Sequence, residues 1–317
     1  MAGSFRKWTV FSVCAATLTL SGAVSDGRAP VRVAVPSPAV VAPALVDVDR
    51  EAERLARIEP AAAPASMTIR AVSAISLHNH FVQRGYTLDA VRKEGEAVPR
   101  VFLAQLPRDL PTLLSPDFRK TVFIKMMLPL VLAENERIRK DRVRALQIRE
   151  DLENDMDVAA EELAWLARLS ERYGVDDGNL DELFRRVDVI SPSLALAQAA
   201  LETGWGTSSV AQRGHAMFGQ MVFRVASDGG IEASVKMFRD LAAAVEAYAH
   251  NLNTHRAYAE FRHARAQMRE NGRAPDGYEL ALHLVRYSER KEDYVQAVRG
   301  LIRVNNLQPF DHARLDG

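Results

Sequence analysis

One cysteine, Cys14, stands among 317 residues, so neither an internal disulfide nor a cysteine-based zinc site can form. An excess of charge of one sign is missing too, because 41 Lys and Arg balance 41 Asp and Glu. A balanced chain has no broad electrostatic grip on nucleic acid or on an anionic membrane, and neither is expected as a partner. Long hydrophobic runs are scarce: the stretch 8–20 falls short of the roughly 20 residues that a membrane-spanning helix needs. No Gly-x-Ser-x-Gly elbow and no phosphate-cradling glycine loop occur. The eight histidines, His78-Asn79-His80 included, take no metal-binding spacing on a helix, so no metal and no cofactor is expected.

What remains is an ordinary globular composition, 48% hydrophobic, with a distinctive beginning. Arg6 and Lys7 precede the apolar run, and Ser21-Gly22-Ala23 follow it, which is the three-part order of a secretory signal peptide. Residues 1–23 are therefore expected to be cleaved after Ala23, giving a periplasmic protein without cysteine, and a membrane contact only if the signal stays uncleaved. Residues 24–66 hold six of the 14 prolines among Ala and Val and read as an extended linker, interrupted by a short charged helix over 47–57. Residues 67–154 read as an N-terminal extension plus a long helix, and 155–310 as the main domain.

The fold class expected is mainly α. Prolines 99, 107 and 111 break any long helical pattern in 67–115, so this part is expected to drape over the body. Apolar residues at helical spacing predict a long helix over 117–154, with Ser115-Pro116 as its start and Pro129 as a candidate kink. Further helices are predicted over 158–173, 180–187, 278–287 and 294–304, and a face of Leu241, Val245, Tyr248, Ala249 and Leu252 marks another. Ser227-Asp228-Gly229-Gly230 between two apolar segments predicts a β-hairpin flap within 217–238. Arg262, Arg265, Arg269 and Arg273, interspersed with Glu260 and Glu270, read as a solvated helix face.

The chemistry is concentrated in 191–208. Ser191 suits a cap and Pro192 a first helical position, and of the next nine residues only Ser193 and Gln198 are polar, which predicts a buried helix. Gly204 and Gly206 end it just after Glu202. Free carbonyls, the negative end of the helix dipole and burial beside Trp205 all disfavour an ionised carboxylate, so a raised pKa is expected for Glu202. A carboxyl that keeps its proton near neutral pH can act as general acid on a glycosidic oxygen. A Glu paired with an Arg at a helix end would look the same in sequence. Trp205 and Phe218 have the flat faces that stack on sugars, and equally the bulk that fills a core.

The run Leu196-Ala197-Gln198-Ala199-Ala200-Leu201-Glu202-Thr203-Gly204-Trp205-Gly206-Thr207-Ser208, followed by Ala216-Met217-Phe218-Gly219, resembles the catalytic-helix motif of glucosaminidase-type peptidoglycan hydrolases, glycoside hydrolase family 73. More of the chain, about 98–308, resembles the bacterial Bax family of envelope proteins. That resemblance is carried by Val98-Pro99-Arg100, Leu128-Pro129-Leu130-Val131-Leu132-Ala133-Glu134-Asn135, Arg186-Val187-Asp188-Val189-Ile190, Asn251-Leu252-Asn253-Thr254-His255, Tyr258-Ala259-Glu260-Phe261-Arg262 and Tyr287-Ser288-Glu289-Arg290. It implies a lysozyme-like α+β domain with a hairpin flap, binding peptidoglycan glycan strands in a cleft, with Glu202 as catalytic acid and Tyr287 lining the cleft. Glu232, on the flap, is the candidate second carboxylate; if it does not serve, the substrate's acetamido group is the alternative nucleophile. Gln220 and Tyr294 complete the candidate substrate-binding set with Trp205 and Phe218. The function implied is an endo-β-N-acetylglucosaminidase, with a lytic transglycosylase or a non-catalytic peptidoglycan-binding scaffold as alternatives.

Overall fold

The computed structural model of the protein describes residues 67–69, 73–176, 178–225 and 231–317. The expected signal, the linker with its short helix, and the turn 227–230 lie outside the described residues. Strand β1 (Met67–Ile69) pairs in parallel with β2 (Val101–Leu103), Met67 opposite Val101. Between them α1 (Ala74–Gln83) begins where the Ser73 hydroxyl accepts from the Ser76 amide. The stretch 67–115 thus contains a ten-residue helix, which is possible because all three of its prolines fall beyond it. The expected long helix is α2 (Pro116–Glu153), opened by Ser115 accepting from the Phe118 amide. It runs on through Pro129, which removes only the amide that would have met the Lys125 carbonyl.

Then follow α3 (Ala160–Tyr173), closed by Gly174 in the left-handed region, and α4 (Leu180–Arg186). Next come α5 (Pro192–Thr203) and the short α6 (Ser209–Gly214). The predicted hairpin is β3 (Met221–Val225) antiparallel to β4 (Ile231–Val235), with Met221 opposite Val235. Helices α7 (Leu241–Thr254), α8 (Ala259–Glu270), α9 (Gly277–Leu280) and α10 (Glu292–Val304) complete the chain. The helix predicted over 278–287 breaks after Leu280 into a 3-10 turn, Ala281–His283. The bend swings Leu284 and Tyr287 inward, where both are fully buried. The molecule is mainly α with one hairpin, and among the described residues no helix is long and apolar enough to cross a membrane.

A continuous apolar core extends from Ala74 to Leu315, shared by the extension 67–154 and the main body. Helix α5 lies at its centre, between α2 and α10. The C-terminal stretch around Leu315 forms a seam with the segment around Val98. The Val98 amide donates to the Arg314 carbonyl and the Val98 carbonyl accepts from the Asp316 amide, forming a parallel bridge with Leu315. Arg100 adds bonds to the Asp316 carbonyl at 2.8 Å and to both oxygens of Glu136.

The arginines of α8 do not form a solvated face. Arg265 and Arg262 are 0% and 3% exposed, on the same inward stripe as Phe261 and Met268. Arg262 donates to the Leu252 and His255 carbonyls at the end of α7. Arg265 donates to the Asp188, Val189 and Arg185 carbonyls, and Arg269 takes both carboxylate oxygens of buried Asp188. Only Arg273 is an exposed pair, with Glu279. Helical spacing gave one face, but the anion and carbonyls that draw it inward lie about 80 residues back, at Asp188, where local charge pattern cannot show them. Asn135 of α2 holds the same stretch from the other side, exchanging two hydrogen bonds with the Ile190 backbone. This clamped segment delivers Ser191 to the start of α5.

Candidate active site

Helix α5 is fixed at its first turn by its own cap and by a distant carboxylate. The Ser191 hydroxyl accepts from the Leu194 amide and donates to Asp311 at 2.7 Å, and Asp311 also accepts from the Ser193 amide, the Ser193 hydroxyl and the Gly277 amide. One side chain thereby closes the N-termini of α5 and α9. Burial pushes the Asp311 carboxyl up to about 6, against the pull of those four donors. The folded protein then holds this proton more tightly than the unfolded chain, so ionisation removes stability as pH rises from about 4 to about 6. Thermal unfolding of the parent should show this loss across that window, and Asp311→Asn, which does not titrate, should lack it. Parallel pH profiles for the two proteins would refute the assignment.

The middle of α5 is almost wholly buried, and its one amide side chain, Gln198, is matched by two tyrosines. Tyr248 donates to Gln198 Oε1 at 2.7 Å, and Gln198 Nε2 donates to the Tyr294 hydroxyl at 2.8 Å. Around them the aromatic rings close a circuit. Tyr294 stacks on Tyr287 (5.3 Å, 13°), Tyr287 donates to the Phe218 carbonyl at 2.9 Å, and Phe218 stacks on Tyr248 (3.9 Å, 9°). Tyr258 adjoins Tyr287 at 5.9 Å. Such a closed set of satisfied polar and aromatic contacts fixes a site rigidly.

Glu202 lies one turn beyond Gln198, on the same face of α5. It is half-buried, with its Oε1 shielded from solvent. Its charge is felt by the tyrosines: burial first, and then Glu202, hold the Tyr258 hydroxyl up at about 12, against a hydrogen bond with Asn251. The Tyr294 hydroxyl is likewise driven well above the ordinary phenol range, by burial first and then by Glu202. Two neutral phenols, Tyr258 and Tyr294, thus lie within electrostatic reach of the carboxyl, and they can donate or orient but supply no charge at neutral pH. Beyond Glu202 the chain leaves the helix through Gly204, left-handed at φ 58, whose amide returns to the Ala200 carbonyl.

The other candidates divide by exposure. Tyr287, Tyr294, Phe218 and Gln220 are between 0% and 3% exposed, so in this structure their side chains lie in the core. The aromatic bulk of Tyr287, Tyr294 and Phe218 packs in the core. Gln220 roots the hairpin, its Nε2 donating to the Ala247 carbonyl and its own carbonyl accepting from Lys236. Trp205 alone of the binding candidates keeps accessible surface, with its ring edge-on to Phe123 at 5.6 Å. Glu232 is exposed on β4, opposite Arg224 in the ladder, and is not part of the tyrosine circuit. Two surface grooves of ≈ 340 and ≈ 370 Å³ lie along α7, sharing Arg137, Ala243 and Glu246, and neither includes Glu202. Sequence reasoning missed Gln198, Tyr248 and Tyr258; a lone amide four residues before the acid, in an otherwise apolar helix, was the available signal.

Comparison with known proteins bears on these same residues. Residues 179–307 match the family model described as Glucosaminidase, mannosyl-glycoprotein endo-beta-N-acetylglucosaminidase. Protein bax of Escherichia coli (strain K12) is 32% identical over 184 residues, 56% of this chain and 66% of that protein. The match thus spans a little under two thirds of that relative's length. Among solved structures, the catalytic domain of the autolysin Auto from Listeria monocytogenes is 20% identical, covering 52% of this chain and 96% of that one. Its TM-score is 0.29, too low to bear on the geometry.

Proposed function

The chain is a Bax-family protein with a glucosaminidase domain over residues 179–307, and from that premise we propose that it is a peptidoglycan hydrolase of the endo-β-N-acetylglucosaminidase type. The observation that carries the reading is the position of Glu202: half-buried, at the end of a core helix inside the matched domain, with the buried hydroxyls of Tyr258 and Tyr294 near enough to feel its charge. In this reading Glu202 gives its proton to the glycosidic oxygen between N-acetylglucosamine and N-acetylmuramic acid as the bond to the anomeric carbon breaks. Water then adds to that carbon, and its proton passes to a carboxylate. Trp205 supplies a flat apolar face beside the acid, suited to a pyranose ring. Export through residues 1–23 would bring the enzyme to this substrate in the periplasm.

A second reading is favoured by one observation. Glu232, the candidate base, is exposed on the flap rather than gathered with Glu202. A single acid with no water-activating partner also suits a lytic transglycosylase. Digestion of purified sacculi followed by mass spectrometry separates the readings. Reducing-end N-acetylglucosamine supports the hydrolase, 1,6-anhydromuramic ends replace it with the transglycosylase, and bound but uncut strands leave a scaffold. In the same assay Glu232→Gln is expected to lose less than Glu202→Gln, because an exposed strand holds a side chain less firmly than a buried helix. Equal losses would favour a two-carboxylate mechanism.

A further inference from the structure

Directly after Glu202 the backbone does something unusual. Gly204, Trp205 and Gly206 have φ of 58°, 61° and 79°, three successive residues in the left-handed region. Glycine enters that region freely, but a residue as bulky as tryptophan rarely does and must be held there by its surroundings. Part of the hold is local. The Trp205 amide donates to the Ala200 carbonyl, the Gly206 amide to Thr203 Oγ1 at 2.8 Å, and the Thr207 and Ser208 amides to the Thr203 carbonyl.

The rest comes from a part of the chain that precedes the matched domain. A Cβ on Gly206 would fall 2.7 Å from Leu110 Cδ2 and 3.2 Å from Phe123 Cδ2, so both side chains lie directly against the turn. Phe123 also meets the Trp205 ring edge-on, and Lys120 Nζ lies 5.8 Å over that ring. Gln212 ties the two regions together: its Nε2 donates to the Gly206 carbonyl at 2.8 Å and to the Pro107 carbonyl at 3.2 Å. One amide group thus spends both protons on joining the extension to the turn. Leu110 and Phe123 are completely buried in doing so.

We propose that residues 107–123 are a working part of this active site: Leu110, Phe123 and, through Gln212, the Pro107 carbonyl are positioning elements that impose the left-handed course of 204–206 and thereby set Glu202 and Trp205 relative to each other. The inference rests on Glu202 being the catalytic acid, and it extends the site beyond residues 179–307. None of the positioning groups touches the reacting atoms. Their effect passes through the turn, so it should lower turnover through Glu202 and weaken binding through the Trp205 face.

The test uses the full chain carrying Gln212→Glu, which keeps the shape but turns a double donor into an acceptor facing two carbonyls. Gln212→Met, of similar length and without charge, is the second variant. Two readouts are taken, sacculus digestion against substrate concentration and hydrogen–deuterium exchange resolved at the amides of 205–208. The expected result is a kcat at least tenfold lower, a KM raised as the Trp205 face shifts, and exchange at least tenfold faster at Trp205 and Gly206, while the amides of 196–199 inside α5 keep parental rates. Parental exchange at 205–206 in both variants overturns the proposal, as does faster exchange with unchanged kcat. Loss of protection throughout α5 also overturns it, since that is a general structural role. If the parent itself leaves sacculi uncut, the hydrolase reading fails, and exchange alone then decides whether the extension holds the turn.

Discussion

Glu202→Gln should lower sacculus digestion by about 10²–10⁴-fold, the range typical of losing general acid–base catalysis. The substitution preserves volume and one carbonyl-type oxygen at the end of α5, but it removes the proton that would pass to the leaving oxygen. The surroundings argue that nothing nearby can replace it. Tyr258, held up at about 12, and Tyr294, also pushed well above the ordinary phenol range by burial, keep their protons too firmly to serve as acids near neutral pH. Stability should change little, because the helix is anchored by Gln198, Asp311 and the apolar residues between them rather than by its last turn. Thermal unfolding of the variant should match the parent within a few degrees. A variant that digests sacculi at the parental rate would mean that Glu202 is not the acid.

The largest effect on stability should come from Asp188→Asn. Asp188 is 1% exposed and fully buried Arg265 lies beside it, with Arg269 bridging both carboxylate oxygens. Although burial raises its pKa, Arg265, Arg269 and Arg142 hold the carboxyl down at about 2. Removing the charge leaves a buried guanidinium without its anion, a change that costs about 3–5 kcal/mol where buried pairs are broken. Against a typical total of about 5–15 kcal/mol, that is a large share of the fold's stability. Urea denaturation at neutral pH should show the midpoint fall accordingly. Acid should act in the same direction: a depressed pKa gives stability above the ordinary value near 4, lost as pH falls towards 2. A cost under about 1 kcal/mol for Asp188→Asn would show that the arginines are satisfied by carbonyls alone.

The sequence made α5 legible because every signal for it is local: Ser191 and Pro192 to start, Gly204 to stop, apolar residues between. The hairpin was legible for the same reason, an Asp-Gly-Gly sequence lying between two apolar segments. Glu202 could be singled out from its place at the end of that helix. What the sequence concealed depends on partners far along the chain. Arg265 looks like a surface residue until Asp188, 77 positions earlier, is brought to it. Tyr287 has the side chain of a cleft residue, and only the return of the Phe218 carbonyl, 69 positions away, makes it a core one. The left-handed Trp205 was hidden because composition does not report φ for a residue that normally avoids that region.

The seam between Val98 and Leu315 also bears on how quickly the molecule can form. Arg100 meets Asp316 across 216 positions of sequence, and Arg92 reaches the Asn305 carbonyl across 213. At equilibrium such distance matters little, since each doubling of a loop adds only about 0.6 kcal/mol of closure entropy. Rates respond more strongly, because folding slows as the mean separation of contacting residues grows. Each helix can form from local contacts, whereas the seam, like the packing of α10 on α5, must wait for two remote stretches to find each other. Until it closes, β2 lacks the bridge that steadies its approach, and the segment carrying Pro107 and Leu110 is tied down from one side only. Ordering of the turn 204–206, which Leu110 packs against, is therefore expected to depend on contacts remote in sequence.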